Sequence, residues 1–226
     1  MTRATAAAAA RVLEALSRIR RKRIFHPYGV GFAGRLTPRA ERLVGAPALA
    51  TEAAVVVRLS RALGLPEWLP DPCGLGLRIP DAYGRGRHQD FLMVSSATAP
   101  LGRHAILPAR AFLDRPYSTV LPYRFRERLI VVGASARRPN GPGPALAELR
   151  DREFADLDFD LAIASLGGRW QPVARLSLGP RLAASETERL GLDPTNTGGG
   201  LELAGFLNEL RGPSYRRSQA GREASY

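Results

Sequence analysis

Arg211 and Tyr215 stand four residues apart near the end of the chain, a spacing that puts a guanidinium and a phenol on one face of a helix, one turn apart. A tyrosine binds ferric iron well only as the phenolate, and an unperturbed phenol ionises near pH ~10. A cation one turn away favours the anion by charge and hydrogen bonding, so the spacing has a purpose if a metal sits beyond the ring. Gly212-Pro213 lies between the two. Inside a helix Pro213 would cost about 3 kcal/mol or more. In the first turn of a new helix it would cost little, and Arg211 would then precede that helix. Near the other end, His26 follows Arg23 and Phe25 and precedes Gly29, Gly31 and Gly34. An imidazole there could take up and return a proton near neutral pH. By itself such a histidine, like an Arg–Tyr pair or an arginine on a strand, is ordinary structural furniture.

The elements that would carry these groups follow from composition and periodicity. The 226 residues are 45% hydrophobic and 24% charged, which excludes a disordered or collagen-like chain and suits one domain with an appendage. The formal net charge is +12, and Lys22 is the only lysine among 33 basic residues. Arginine grips carboxylates and phosphates bidentately, so anionic partners must be considered. The single cysteine, Cys73, excludes an internal disulfide framework, and three histidines argue against a multi-histidine metal site. No uncharged apolar run reaches the roughly 18–20 residues of a membrane span. The first residues lack the order of a secretory signal, so a cytoplasmic location is expected.

Residues 1–22 read as an Ala-rich N-terminal helix with arginines in its last turn, and residues 23–226 as one barrel domain. Strands are expected at Gly29–Leu36, Ala53–Ser60, Gly74–Ile79, Phe91–Ser96, Leu129–Gly133, Phe159–Ser165 and Trp170–Leu178. Too few helices separate them for parallel βαβ units, so an antiparallel sheet or barrel is expected. Short helices are expected at Ala145–Phe154 and Leu201–Leu210. The alternating Asp156, Asp158 and Asp160 read as the solvent face of a strand, and Asp71 and Asp81 as turn residues. Gly29, Gly31 and Gly34 formally spell a dinucleotide fingerprint, but no strand precedes them and no helix follows. Walker A and G-x-S-x-G motifs are absent.

Several segments, taken in order, resemble the heme catalases. Arg23-Ile24-Phe25-His26-Pro27-Tyr28-Gly29-Val30-Gly31-Phe32-Ala33-Gly34 resembles the segment with that family's distal histidine. Val57-Arg58-Leu59-Ser60 with Gly64, and Asp71-Pro72-Cys73-Gly74-Leu75-Gly76-Leu77-Arg78, are similar to two of its strands. Leu192-Asp193-Pro194-Thr195-Asn196 with Gly200-Leu201-Glu202 resembles a later signature. Arg211 through Arg222 is similar to the proximal-ligand motif, R-x-x-S-Y-x-x-(S/T)-(Q/H)-x-x-R. The resemblance runs from residue 23 to residue 222, with the stretch 101–155 matching only loosely.

The resemblance implies an α+β fold, an antiparallel barrel of the heme catalase type with a few flanking helices. It implies heme b held between His26 and Tyr215, with Tyr215 the iron ligand and Arg211 supporting its phenolate. Arg23, Arg58 and Arg222 fall at propionate-binding positions, Ser60 at the serine orienting the histidine, and Phe25 on the apolar distal wall. Ser95 falls where the family has an asparagine, which puts efficient catalase turnover in doubt. The chain is also far shorter than a full catalase. Together these imply a small catalase-like peroxidase acting on hydrogen peroxide or organic hydroperoxides with an unknown electron donor. The alternative is a non-catalytic binder of heme or an apolar ligand on the same fold. Nucleic-acid binding through the basic termini has only charge in its favour. A second copy of the chain is counted among the expected partners, in a homo-oligomer.

Overall fold

The structure, a computed structural model, describes residues 28–39, 46–137 and 143–204. The expected N-terminal helix therefore lies outside the described residues, and so does most of the expected helix at Leu201–Leu210.

The described residues form ten strands, the longer ones built on alternation of apolar and polar side chains. In order they are β1 (Tyr28–Pro38), β2 (Ala53–Arg61), β3 (Cys73–Ile79), β4 (Gln89–Ser95) and β5 (Tyr117–Ser118), followed by β6 (Tyr123–Phe125), β7 (Arg128–Ala136), β8 (Phe154–Ser165), β9 (Gln171–Arg181) and β10 (Leu201–Leu203). β8 shows the pattern plainly: Ala155, Leu157, Phe159 and Leu161 are buried, while Asp156 and Asp158 are exposed and Asp160 half-buried. Neighbouring strands run antiparallel in the order β7-β5-β4-β3-β2-β1-β9-β8, and β8 pairs with β7 to close an eight-stranded barrel. Closure leaves no free edge among these eight strands. β6 and β10 extend the sheet beside β7.

The inward residues form one core, including Phe32, Val57, Leu59, Leu75, Leu77, Phe91, Val132, Phe159, Leu161 and Leu176. The described helices are two of six residues each, α1 (Leu146–Asp151) and α2 (Ala184–Arg189), plus 3-10 turns at Pro47–Leu49 and Gly102–His104. The antiparallel barrel with few helices is as expected; those short helices do not by themselves carry the α+β description. α1 sits where a helix was expected and buries Leu146 and Leu149 in the core.

Three short strands were not anticipated, because two or three residues carry no readable period. Leu201–Leu203 was expected to be helical and is instead β10, paired with β6. Gly199 and Gly200 explain the change: both have positive φ, 62° and 81°, and turn the chain back against β6.

Candidate functional site

Two rows of residues cross the outer face of four strands. The first is Gly29 (β1), Ser60 (β2), Gly74 (β3) and Val94 (β4); the second is Gly31, Arg58, Gly76 and Leu92. Both rows follow from strand parity, since β2 alternates Val55, Val57 and Leu59 inward with Arg58 and Ser60 outward. Glycine recurs on either side of β2, so its outward side chains lie on bare backbone. A Cβ at Gly29 would stand 2.6 Å from both Cζ and Nη2 of Arg58. Arg58 and Ser60 are nevertheless only 6% and 3% exposed.

The lower row carries a strap. The Gly31 N–H donates to Thr187 Oγ1 at 3.2 Å, which docks α2 against β1. A Cβ at Gly31 would lie 2.7 Å from that hydroxyl, and Leu192 sits directly over Gly76. The strap is pinned by a charge pair between half-buried Arg78 and fully buried Asp90. Arg78 donates bidentately to Asp90, Nε to Oδ1 at 2.8 Å and Nη2 to Oδ2 at 2.6 Å. Arg78 Nη2 also donates to Gly191 O at 2.7 Å, while Asp90 Oδ2 accepts the Asp193 N–H and Asn196 Nδ2, each at 2.9 Å. The segment Leu192–Asn196 is thus held to β3 and β4 by one fully buried carboxylate.

Ser95 does not join this face. It pairs with Tyr117 at the end of β4 and shares the inward side with Met93, opposite Val94. Its hydroxyl accepts the Cys73 N–H at 3.0 Å and donates to Leu107 O at 2.5 Å. The outward neighbour of the Ser60 row on β4 is Val94, an aliphatic side chain. Parity of the strand settles which residue faces out: Val94 does, and Ser95, the residue expected at the site, faces in.

Next to Ser95 the barrel end holds a second buried polar group. Asp71 was expected as a turn residue; it is fully buried. Its carboxylate accepts the Leu63 and Leu65 N–H groups at 3.0 and 3.1 Å and lies 3.6 Å from Arg61 Nε. Arg61 Nη2 donates to Leu69 O at 2.6 Å. Burial pushes the Cys73 thiol up to about 12, opposed by the Arg61 charge. Tyr117, fully buried, is also raised well above its ordinary value by desolvation. This cluster holds loop backbone and carries no reactive thiolate.

Arg23, Phe25, His26, Arg211, Tyr215 and Arg222 lie outside the described residues. Of the expected site residues, the fold brings Arg58 and Ser60 together and leaves Ser95 on the other side of the sheet. Among the described residues no group of three or more His, Cys, Asp or Glu could hold a metal ion. No described helix is long and apolar enough to cross a membrane.

No protein-family profile matches the chain. No curated protein matches it either. Solved structures do. A fungal catalase crystal structure is similar with a TM-score of 0.66 at 11% identity, over 93% of this chain and 62% of the catalase chain. A bacterial catalase is similar with a TM-score of 0.63 at 16% identity, over 94% of this chain and 60% of the other. The fold is therefore catalase-like, and the chain spans about three fifths of the length of these two catalases.

Proposed function

We propose that this protein binds heme b against the outer face of β1–β4 and performs peroxidase-type chemistry on hydrogen peroxide or an organic hydroperoxide. One observation chiefly supports the reading: Arg58 and Ser60 are buried together on a glycine-floored face. These residues suit the group. A desolvated guanidinium matches a carboxylate in charge and fork geometry, and the missing side chain at Gly29 makes room for the Arg58 guanidinium on that face.

In this reading Arg58, with Arg23 and Arg222, holds the propionate carboxylates. Tyr215 is the iron ligand, and Arg211 keeps its Oη deprotonated by charge. His26 takes a proton from one peroxide oxygen at an imidazole nitrogen and returns it to the other. The Ser60 hydroxyl orients that ring, and Phe25 keeps water from it. When bound, heme supplies the redox-active iron at which the O–O bond breaks.

Val94, an aliphatic side chain two strands from Ser60 in the same outward row, favours peroxidase chemistry over rapid disproportionation of hydrogen peroxide. The same feature leaves a second reading open, a heme or apolar-ligand carrier without turnover. Titration with hemin separates the readings. A high-spin ferric tyrosinate spectrum is expected, altered or lost in Tyr215→Phe, and His26→Ala should keep heme while losing peroxide reactivity. Heme binding with no peroxide reactivity in the wild type supports the carrier reading. A protein that takes up no heme refutes both heme readings.

A further inference from the structure

At the end of the barrel away from Ser60, two hairpin turns carry arginines that form no ion pair among the described residues. The β3–β4 turn displays Arg85 and Arg87; β6, the turn after it and the start of β7 display Arg124, Arg126 and Arg128 in that order. All five are exposed, and none forms an ion pair among the described residues. The two turns are far apart in sequence but share one support. The Tyr83 ring packs on Gly198 and Gly199, and the next residue, Gly200, lies beside the Phe125 ring.

Both turns are braced in shape. In the first, the Asp81 N–H donates to His88 Nδ1 at 3.1 Å and Asp81 Oδ1 accepts the Gly86 N–H at 2.7 Å. One oxygen of the turn carboxylate is thus held by the backbone, and it pairs with neither Arg85 nor Arg87. In the second, Arg126 has a φ of 53° and its guanidinium lies 5.4 Å from the Phe125 ring centroid. A two-residue hairpin turn prefers Gly or Asn at such a position, so an arginine is held there at a conformational cost. Among the described residues Glu127 follows Arg126 in the turn, and Glu202 stands opposite Arg124 in the β6–β10 register.

We propose that this face binds the phosphate backbone of a nucleic-acid duplex. Arginine forks match phosphate oxygens bidentately. A duplex is favoured over a single strand because Tyr83 and Phe125 are half-buried against glycines and offer no free ring for base stacking. A membrane is disfavoured because no exposed large apolar residue lies on these two turns to anchor in it.

The test is fluorescence anisotropy of the full chain with a labelled mixed-sequence 24-base-pair DNA over a salt series. Five phosphate contacts would give a slope of log K against log salt of about −4.5. The double variants R85A/R87A and R124A/R126A should each reduce that slope by about 1.8, whereas R85K/R87K should largely keep it. Melting temperature checks that each variant is folded. Unchanged slopes in both alanine variants would overturn the proposal. So would loss of binding in R18A/R20A/R21A alone, or binding to phosphatidylserine vesicles but not to the duplex.

Discussion

The guanidinium of Arg58 lies in the space that a side chain on Gly29 would occupy. An added Cβ at Gly29 would fall 2.6 Å from Arg58 Cζ and 2.8 Å from Leu59 O. The arginine tip can swing aside; the backbone carbonyl cannot. Gly29→Ala is therefore expected to destabilise the barrel by about 1–3 kcal/mol, the usual range for overpacking. Urea denaturation measures this. If Arg58 holds a propionate, the same variant should also weaken hemin binding, and a folded Gly29→Ala protein with unchanged hemin affinity would remove Arg58 from the site.

Asp90 binds Arg78 and two groups of the strap at once. Asp90→Ala leaves Arg78 without its carboxylate and the Asp193 N–H and Asn196 amide without an acceptor. The expected loss is about 3–5 kcal/mol, as for breaking a buried ion pair from one side. Asp90→Asn keeps the shape and some hydrogen bonding and should lose less. Thermal or urea unfolding of the two variants checks the order.

Thr187 accepts a buried backbone N–H, that of Gly31, from across the fold. Thr187→Val keeps the shape and removes the acceptor, which should cost about 1–3 kcal/mol. Limited proteolysis should then cut first within the strap around residues 182–197. A variant as resistant as wild type would show that α2 is held by its apolar contacts alone.

Cys73 sets an alkaline limit. Its folded pKa is raised from 9.0 to about 12, so above pH ~9 the unfolded chain releases a proton that the folded chain keeps. Stability is therefore full below pH ~9 and falls as pH rises towards ~12, by at most about 1.4 kcal/mol per unit from this group. Urea midpoints at pH 7.5, 9 and 10.5 should decline, and less steeply in Cys73→Ala. The native thiol should also resist a disulfide reagent at pH 8 and react once the protein is unfolded.

Most long strands were readable because each carries a period of two between turn residues. β2 has its Val55, Val57 and Leu59 on one side, and β8 sets its aspartates against leucines and phenylalanine. The glycines at 29, 31 and 34 were legible as unusual but not as purposeful. Their reasons are distant residues, Arg58, Thr187 and Ser177, that sequence does not bring near. Asp71, which stands between Pro70 and Pro72, was read as a turn residue by default. Its burial depends on the Leu63 and Leu65 N–H groups and on Arg61.

Local chemistry thus determined the strands, the antiparallel class and the residue types able to meet an anion. Only the closed barrel decided which of them meet. Strand pairing put Arg58 and Ser60 on one face with four glycines, and parity turned Ser95 inward and Val94 outward. Packing of Tyr83 on Gly198 and Gly199, and of Phe125 beside Gly200, also ties the turn that carries Arg85 and Arg87 to the one that carries Arg126. The physical reason is the same in each case. A strand's period fixes which residues alternate, but its register against neighbours far along the chain fixes what each side chain faces.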